Sequence, residues 1–292
     1  MSTSPRSQNN HPPAFWLFPV GVVLAMGASM LPGQWPLYMV LALSTAVLGL
    51  PHGSLDTAVA TRYLHLDNPL RMMMFLGGYM LLAALVLGLW WLAPNAALAA
   101  FLLYSAVHFG DDVANRLGRI GGVGYGLWII GLPVALQPTQ VTPILEMLGA
   151  DQAVTIVATG PWVLAMGGLI LATSLALRPE RSVSDWGDPL LLAVTAALLH
   201  PLAYFIAYWC FLHSPRHLEI AARDLGLYGW RERLRAVAPT TLATYALALA
   251  AVPFLIGLPS DAVLMRVIFI GLAALTVPHM ILELIASPRR SE

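Results

Sequence analysis

The chain contains no lysine; all fifteen basic residues among its 292 are arginine. That excludes an imine on a lysine amine, and with it a chromophore held in the manner of the rhodopsins. Charge is scarce: 10% of residues are Asp, Glu or Arg, against about 25% in an ordinary soluble protein. Fifteen acidic residues balance the arginines, so no net field draws nucleic acid or anionic lipid. The one cysteine, Cys210, excludes intramolecular disulfides and any Cys-rich metal site. No H-E-x-x-H occurs, which removes positive support for a zinc protease. Apolar residues, by contrast, make up 58% of the chain, and the mean hydropathy is +0.73. A soluble domain of this length could not hide that much apolar surface. A cytoplasmic globular enzyme, a disordered chain and a nucleic-acid binder are therefore excluded. Eight histidines in so apolar a chain are the feature to explain.

Residues 1–13 read as a polar, frayed tail, 14–286 as a single transmembrane helical domain and 287–292 as a short tail. No signal-peptide pattern is seen, because the first apolar run lacks a small-residue cleavage site. The fold class is all-α. Helices are expected at 14–31, 35–64, 70–92, 95–117, 120–137, 160–178, 187–199, 202–225, 237–257 and 261–286. Several have the ~20 residues that cross ~30 Å of hydrocarbon, and none alternates like a barrel strand. Arginines at 62, 71, 116, 119, 178, 181, 216, 223, 231, 233, 235, 289 and 290 mark one set of connections; those near 32–34, 93–95, 138–159 and 257–260 carry none. The positive-inside rule places the arginine-bearing connections and both termini in the cytoplasm, as in a multi-pass inner-membrane protein. A single crossing at 187–225 would leave five arginines outside, whereas a turn at His200-Pro201 returns them. The reading is ten helices, with nine kept open because the seventh is short.

Four motifs place histidine in even-numbered helices: PHGSLD at 51–56, HFGDD at 108–112, HSPRH at 213–217 and PHMILE at 278–283. His52, His213 and His279 each precede an arginine by ten residues, and His108 does so by eight. At 1.5 Å per residue all four lie roughly 12–15 Å inside the same boundary. Ionisable groups within membrane helices usually face the bundle interior for a reason, and imidazole suits Fe, Zn, Cu and Ni. The bland alternative is a set of polar side chains bonded to neighbouring helices. His217 follows His213 by four and shares its face. Pro215 either kinks that helix or, with Ser214 as cap, starts a new one. His11, His65 and His200 are expected at the surface or interface.

Asp56, Asp112 and Glu283 each stand four residues after a histidine. Metal-bound imidazoles usually donate their other N–H to a carboxylate, so these acids, with Asp111, are candidate outer partners or additional ligands. Of the Asp111–Asp112 pair, one is expected inward and one at the surface. Gly53 and Gly110 allow close helix approach beside His52 and His108. Tyr104, Tyr204, Tyr208, Trp209 and Phe211 could line a tunnel for a rigid polyene, although core packing explains them as well.

The ordered set GLPHGSLD, SAVHFGDD, AYWCFLHSPRHL and VPHMILEL resembles the Brp/Blh family of carotene-cleaving membrane enzymes, over about residues 40–285. The resemblance implies cleavage of β-carotene at its central 15,15′ double bond with O2, giving two retinal molecules, at a non-haem Fe(II) held by histidines. Carried over by motif, the ligands are His52, His108, His213 and His217, with His279 a fifth ligand or an outer partner. No catalytic residue beyond the metal centre is implied. Ser54 departs from the family pattern, which has a small apolar residue there, as does the Asp pair after His108. A hydrocarbon bond with no leaving group needs activated O2 rather than acid–base groups, and a neutral four-His Fe(II) centre with an open position suits it. Any retinal formed must pass to another protein, since this chain has no lysine to keep it.

Other readings are a membrane di-iron oxygenase such as a desaturase or hydroxylase, a metal permease or transporter, and a carotenoid-binding protein without turnover. The di-iron class needs more histidines at one level than this chain offers. A transporter would spread its polar groups along a path through the bilayer, whereas here they concentrate on one side.

Overall fold

The computed structural model describes residues 14–66, 68–178 and 183–290, without the side chains of 14–16, 52, 183, 184 and 287–290. Among the described residues there is no strand. Ten helices carry the fold: α1 (Ala14–Ser29), α2 (Trp35–Leu64), α3 (Pro69–Leu92), α4 (94–117), α5 (119–136), α6 (Ala153–Ala176), α7 (Gly187–Leu198), α8 (201–224), α9 (Trp230–Leu255) and α10 (Ser260–Ala286). Helices α2, α3, α6, α9, α10 and the continuous α4–α5 stretch are long and apolar enough to cross a membrane. The bundle is thus an all-α membrane fold whose lipid-facing surface carries exposed Leu, Met and Trp, as on α3.

Four details differ from expectation. Helix α6 begins at Ala153, seven residues early, through a short leading turn, Ala153–Ala158. The connection after α5 contains a further short helix, Pro138–Met147, which begins on the proline that reads as a loop signal. Helix α9 starts seven residues early, at Trp230, because Glu232 turns back to accept from the Gly229 amide and closes its first turn. Arg266, in α10, stands apart from the other arginines, and its Nε donates to the Met147 carbonyl at 2.8 Å.

Small residues fix how the bundle closes around the histidines. The chain reverses between α4 and α5 at Gly118, whose φ of 72° is left-handed. Ala106 and Gly110 on α4 then meet Gly122 and Gly126 on α5, each pair four residues apart. A Cβ on Gly126 would stand 1.6 Å from the Ala106 carbonyl oxygen, and one on Gly110 would stand 2.5 Å from that of Gly122. This is the small-xxx-small contact that lets helices touch in lipid. His108 lies two residues from both Ala106 and Gly110, about 200° around the helix, so the same contact turns it the opposite way.

The other His-bearing helices are wound irregularly. Each of α2, α8 and α10 contains a π-helical stretch, at Thr45–Gly49, Ile206–His213 and Arg266–Ile270. Such wide turns re-aim side chains and cluster at functional sites. In α8 the wide stretch ends at His213 and Pro215 follows without breaking the rod. Pro215 thus stands in the first turn of the α-helical stretch Ser214–Asp224, close to the second geometry considered, with His213 rather than Ser214 in the cap position. The wide turns of α2 and α8 interlock, since a Cβ on Gly49 would overlap the Trp209 ring at 2.2 Å.

Gly126→Leu should therefore separate α4 from α5. We expect a loss of about 1–3 kcal/mol or more, seen as a lower unfolding temperature and yield in detergent. Wild-type stability in this variant would show that the contact does not hold the hairpin.

Candidate metal centre

The rings of four histidines from three helices cluster around His108. The His108 ring lies 4.9 Å from that of His213, 5.3 Å from His217 and 5.4 Å from His279, centre to centre, and His213 and His217 are 4.3 Å apart. His108, His213 and His279 are buried and His217 is partly so. His52 is placed in a 3-10 turn, Leu50–Leu55, but its side chain lies outside the described residues.

Two of the carboxylates marked by spacing, Asp112 and Asp56, orient these rings, each on a histidine of a neighbouring helix. Asp112 turns away from His108 on its own helix and reaches α8. Its Oδ1 is 3.0 Å from His213 Nδ1 and 3.3 Å from His217 Nε2, and its Oδ2 accepts from the Tyr208 hydroxyl at 2.9 Å. Asp56 likewise reaches α10 and sits 2.8 Å from His279 Nδ1. Asp111 is 3.9 Å from His108 Nδ1 and 58% exposed, the outward member of its pair, and Glu283 is half-buried. A carboxylate only accepts, so Nδ1 of His213 and of His279 carries the proton and Nε2 carries the lone pair.

The His213 lone pair has a second nitrogen beside it. His213 Nε2 and His108 Nε2 are 3.2 Å apart. Bonds of about 2.0–2.1 Å to one ion hold adjacent nitrogen ligands about 3 Å apart. Asp112, His213 and His217 also offer ligand atoms that all lie within 4.8 Å of one another. Neutral imidazoles with an oriented carboxylate fit a divalent transition metal such as iron or zinc.

Beside the centre lies an apolar cavity of about 150 Å³ between α2, α3, α9 and α10. Its inner end is Gly53, Asp56, Tyr79 and His279. Leu76, Met80 and Leu247 line it while remaining 42–48% exposed on the lipid-facing surface. The aromatic residues considered for a tunnel do not line it. Tyr204, Tyr208, Trp209 and Phe211 are packed in the core, and Tyr104 donates to the Ala273 carbonyl at 2.8 Å. Ser54 is buried and shares a 2.6 Å hydrogen bond with Thr241 of α9, which gives its hydroxyl a partner where an apolar residue would need none. His65 ends the last turn of α2 with φ 52°, and His200 accepts from the Leu202 amide at the start of α8; neither approaches the centre.

The family model described as Beta-carotene 15,15'-dioxygenase matches residues 43–285. The chain belongs to that family. It is an enzyme of the carotenoid-cleaving kind, and every motif of the centre falls inside the matched range. A curated relative, Beta-carotene 15,15'-dioxygenase from uncultured marine bacterium 66A03, is 29% identical over 258 residues, covering 80% of this chain and 88% of its own. No solved structure matches.

Sequence reasoning passed over Tyr79, which donates to Asp56 at 2.9 Å. The available signal was a phenol within a span, 69–92, that is otherwise almost wholly apolar. Tyr208, considered for tunnel lining or core packing, is buried and donates to Asp112.

Asp112→Asn keeps the shape and removes the charge that both α8 histidines share. A divalent metal should bind this variant about 10–100-fold more weakly than wild type, measured by titration of the detergent-solubilised protein. Equal affinity would make Asp112 a packing residue only.

Proposed function

We propose that this enzyme cleaves β-carotene at its central 15,15′ double bond with O2, giving two molecules of retinal, at a single Fe(II) held by His52, His108, His213 and His217, with His279 completing the donor set. The observation that carries the reading is the cluster of four described histidine rings beside a lipid-facing apolar cavity. The chemistry of the donor set fits iron, and the choice of iron over zinc rests on the family. When bound, iron supplies the binding and activation of O2, which the protein's own side chains cannot provide.

The chain's residues do the rest. Asp112 and Asp56 hold His213 and His279 in the tautomer that turns Nε2 inward. A hydrocarbon polyene is dissolved in the bilayer, and the cavity mouth at Leu76, Met80 and Leu247 opens there. An apolar cavity of about 150 Å³ holds a benzene-sized piece of hydrocarbon, so a middle segment of the polyene can lie in it beside the centre while the cyclic ends remain outside it. Gly53 leaves the inner end open, since a Cβ there would meet only His279 Nδ1, at 4.0 Å. The apolar walls keep water from the reacting bond. The two oxygen atoms of one O2 account for the two aldehyde oxygens.

The arginine pattern supports an inner-membrane location with cytoplasmic termini and the centre nearer the cytoplasmic side. A reporter fused after residue 200 should read as outside, and a cytoplasmic signal would contradict this orientation. A retinal-accepting protein is the expected downstream partner.

Expression in bacteria that accumulate β-carotene should bleach the cells and yield retinal by chromatography. Persistent colour with folded, iron-loaded protein present would overturn the substrate. His108→Ala and His213→Ala should lose activity and bound iron together. Thr244→Trp, which fills the cavity, should slow cleavage by about tenfold or more with bound iron unchanged. Wild-type rates in that variant would place the substrate elsewhere.

A further inference from the structure

The orienting arrangement at the centre occurs twice. On one side the Tyr208 hydroxyl donates to Asp112 Oδ2 at 2.9 Å, and Asp112 Oδ1 accepts from His213 Nδ1 at 3.0 Å. On the other the Tyr79 hydroxyl donates to Asp56 Oδ2 at 2.9 Å, and Asp56 Oδ1 accepts from His279 Nδ1 at 2.8 Å. The two chains of hydrogen bonds share no residue, and they come from α8 and α4 in the first case and from α3, α2 and α10 in the second. Each ends on an imidazole whose ring lies within 5.4 Å of His108.

Tyr79 differs from Tyr208 in its surroundings. Tyr208 is buried in the core, whereas Tyr79 sits on the peripheral helix α3 and its ring forms part of the cavity wall. Most of α3 faces lipid, where a phenol without a partner would be costly. The hydroxyl lies 2.9 Å from the Asp56 carboxylate and 3.3 Å from the Leu275 carbonyl. It has one proton, and the shorter, charge-assisted bond to Asp56 takes it.

We propose that Tyr79 is a positioning residue of the metal centre. It holds Asp56 so that His279 presents Nε2 to the histidine cluster, and it ties that ligand to the wall against which the substrate lies. The inference rests on the proposed His-held metal with His279 in its donor set. Without the phenol, Asp56 loses the donor on its outer oxygen and is free to rotate, which relaxes both the tautomer and the tilt of His279. The ring of a phenylalanine would leave the cavity wall in place.

The test uses full-length protein in detergent. Fe(II) or Co(II) is titrated into metal-free wild type, Tyr79→Phe, Asp56→Asn and the double variant, with the unfolding temperature of each metal-free protein measured alongside. Tyr245→Phe is the control, since it removes a phenol bond from α9 to the Ala46 carbonyl without touching Asp56. Tyr79→Phe should weaken metal binding about 10–100-fold and alter the Co(II) absorption spectrum, while Tyr245→Phe changes neither. The double variant should bind as weakly as Asp56→Asn alone, because Tyr79 acts through Asp56. Wild-type affinity and spectrum in Tyr79→Phe overturn the inference while the proposed function stands, as does full additivity in the double variant. If Tyr79→Phe does not fold, Asp56→Asn decides: unchanged metal binding there overturns the relay. A wild-type protein that takes up neither metal overturns the proposed centre and this inference with it.

Discussion

The centre depends on one buried carboxylate. Asp112 has a side chain only 1% exposed inside an apolar bundle. An ion in such a place costs several kcal/mol unless its lone pairs are filled. Tyr208, His213 and His217 fill them, and all three come from a single stretch of α8. The need to satisfy Asp112 therefore locks α4 to α8 in one register. It also spends one nitrogen of His213 and leaves the other turned toward His108. The π-helical winding that runs through Tyr208 to His213 is the backbone counterpart of that demand.

The rest of the fold brings helices close enough for this bond to form. The glycine contact of α4 with α5 turns His108 away from its own hairpin and toward α8 and α10. Gly49 admits the Trp209 ring, which seats α2 against α8. Asp56 repeats on α2 and α10 what Asp112 does on α4 and α8, so two acidic residues account for the crossing of all four His-bearing helices. Asp56 and the rings of His108, His213 and His279 are buried, Arg62, Arg71, Arg116, Arg119, Arg223, Arg231 and Arg235 are exposed, and the surface between these levels is apolar, as lipid requires. The same division explains why a cavity can open sideways between α3 and α9 and still end on an ionisable cluster.

Much of this was legible in the sequence. The ten helices could be bounded because proline, glycine and arginine punctuate the apolar runs, and the level shared by His108, His213 and His279 follows from their distance to the terminal arginines. Two elements were hidden by composition: Pro138 and Pro143 disguise a short helix as a loop, and the charged residues at 231–235 disguise the start of α9. Arg266 carries no signal of its own, because its partner is a backbone carbonyl 119 residues away. Asp112 and Asp56 were marked by spacing, but the histidines they bond, His213 and His279, stand on other helices. A spacing of four identifies neighbours on one helix, whereas a short side chain bonds whichever ring an adjacent helix brings nearer. Tyr79 escaped because its role exists only once α3 lies against α2.

The central claim is a single metal held mainly by imidazoles, and iron K-edge X-ray absorption on the purified, iron-loaded protein tests it most directly. The account predicts one iron per chain, outer-shell scattering from at least four imidazole rings and no metal–metal vector. A metal–metal distance of about 3.5–4 Å, or scattering from fewer than three imidazoles, would contradict it.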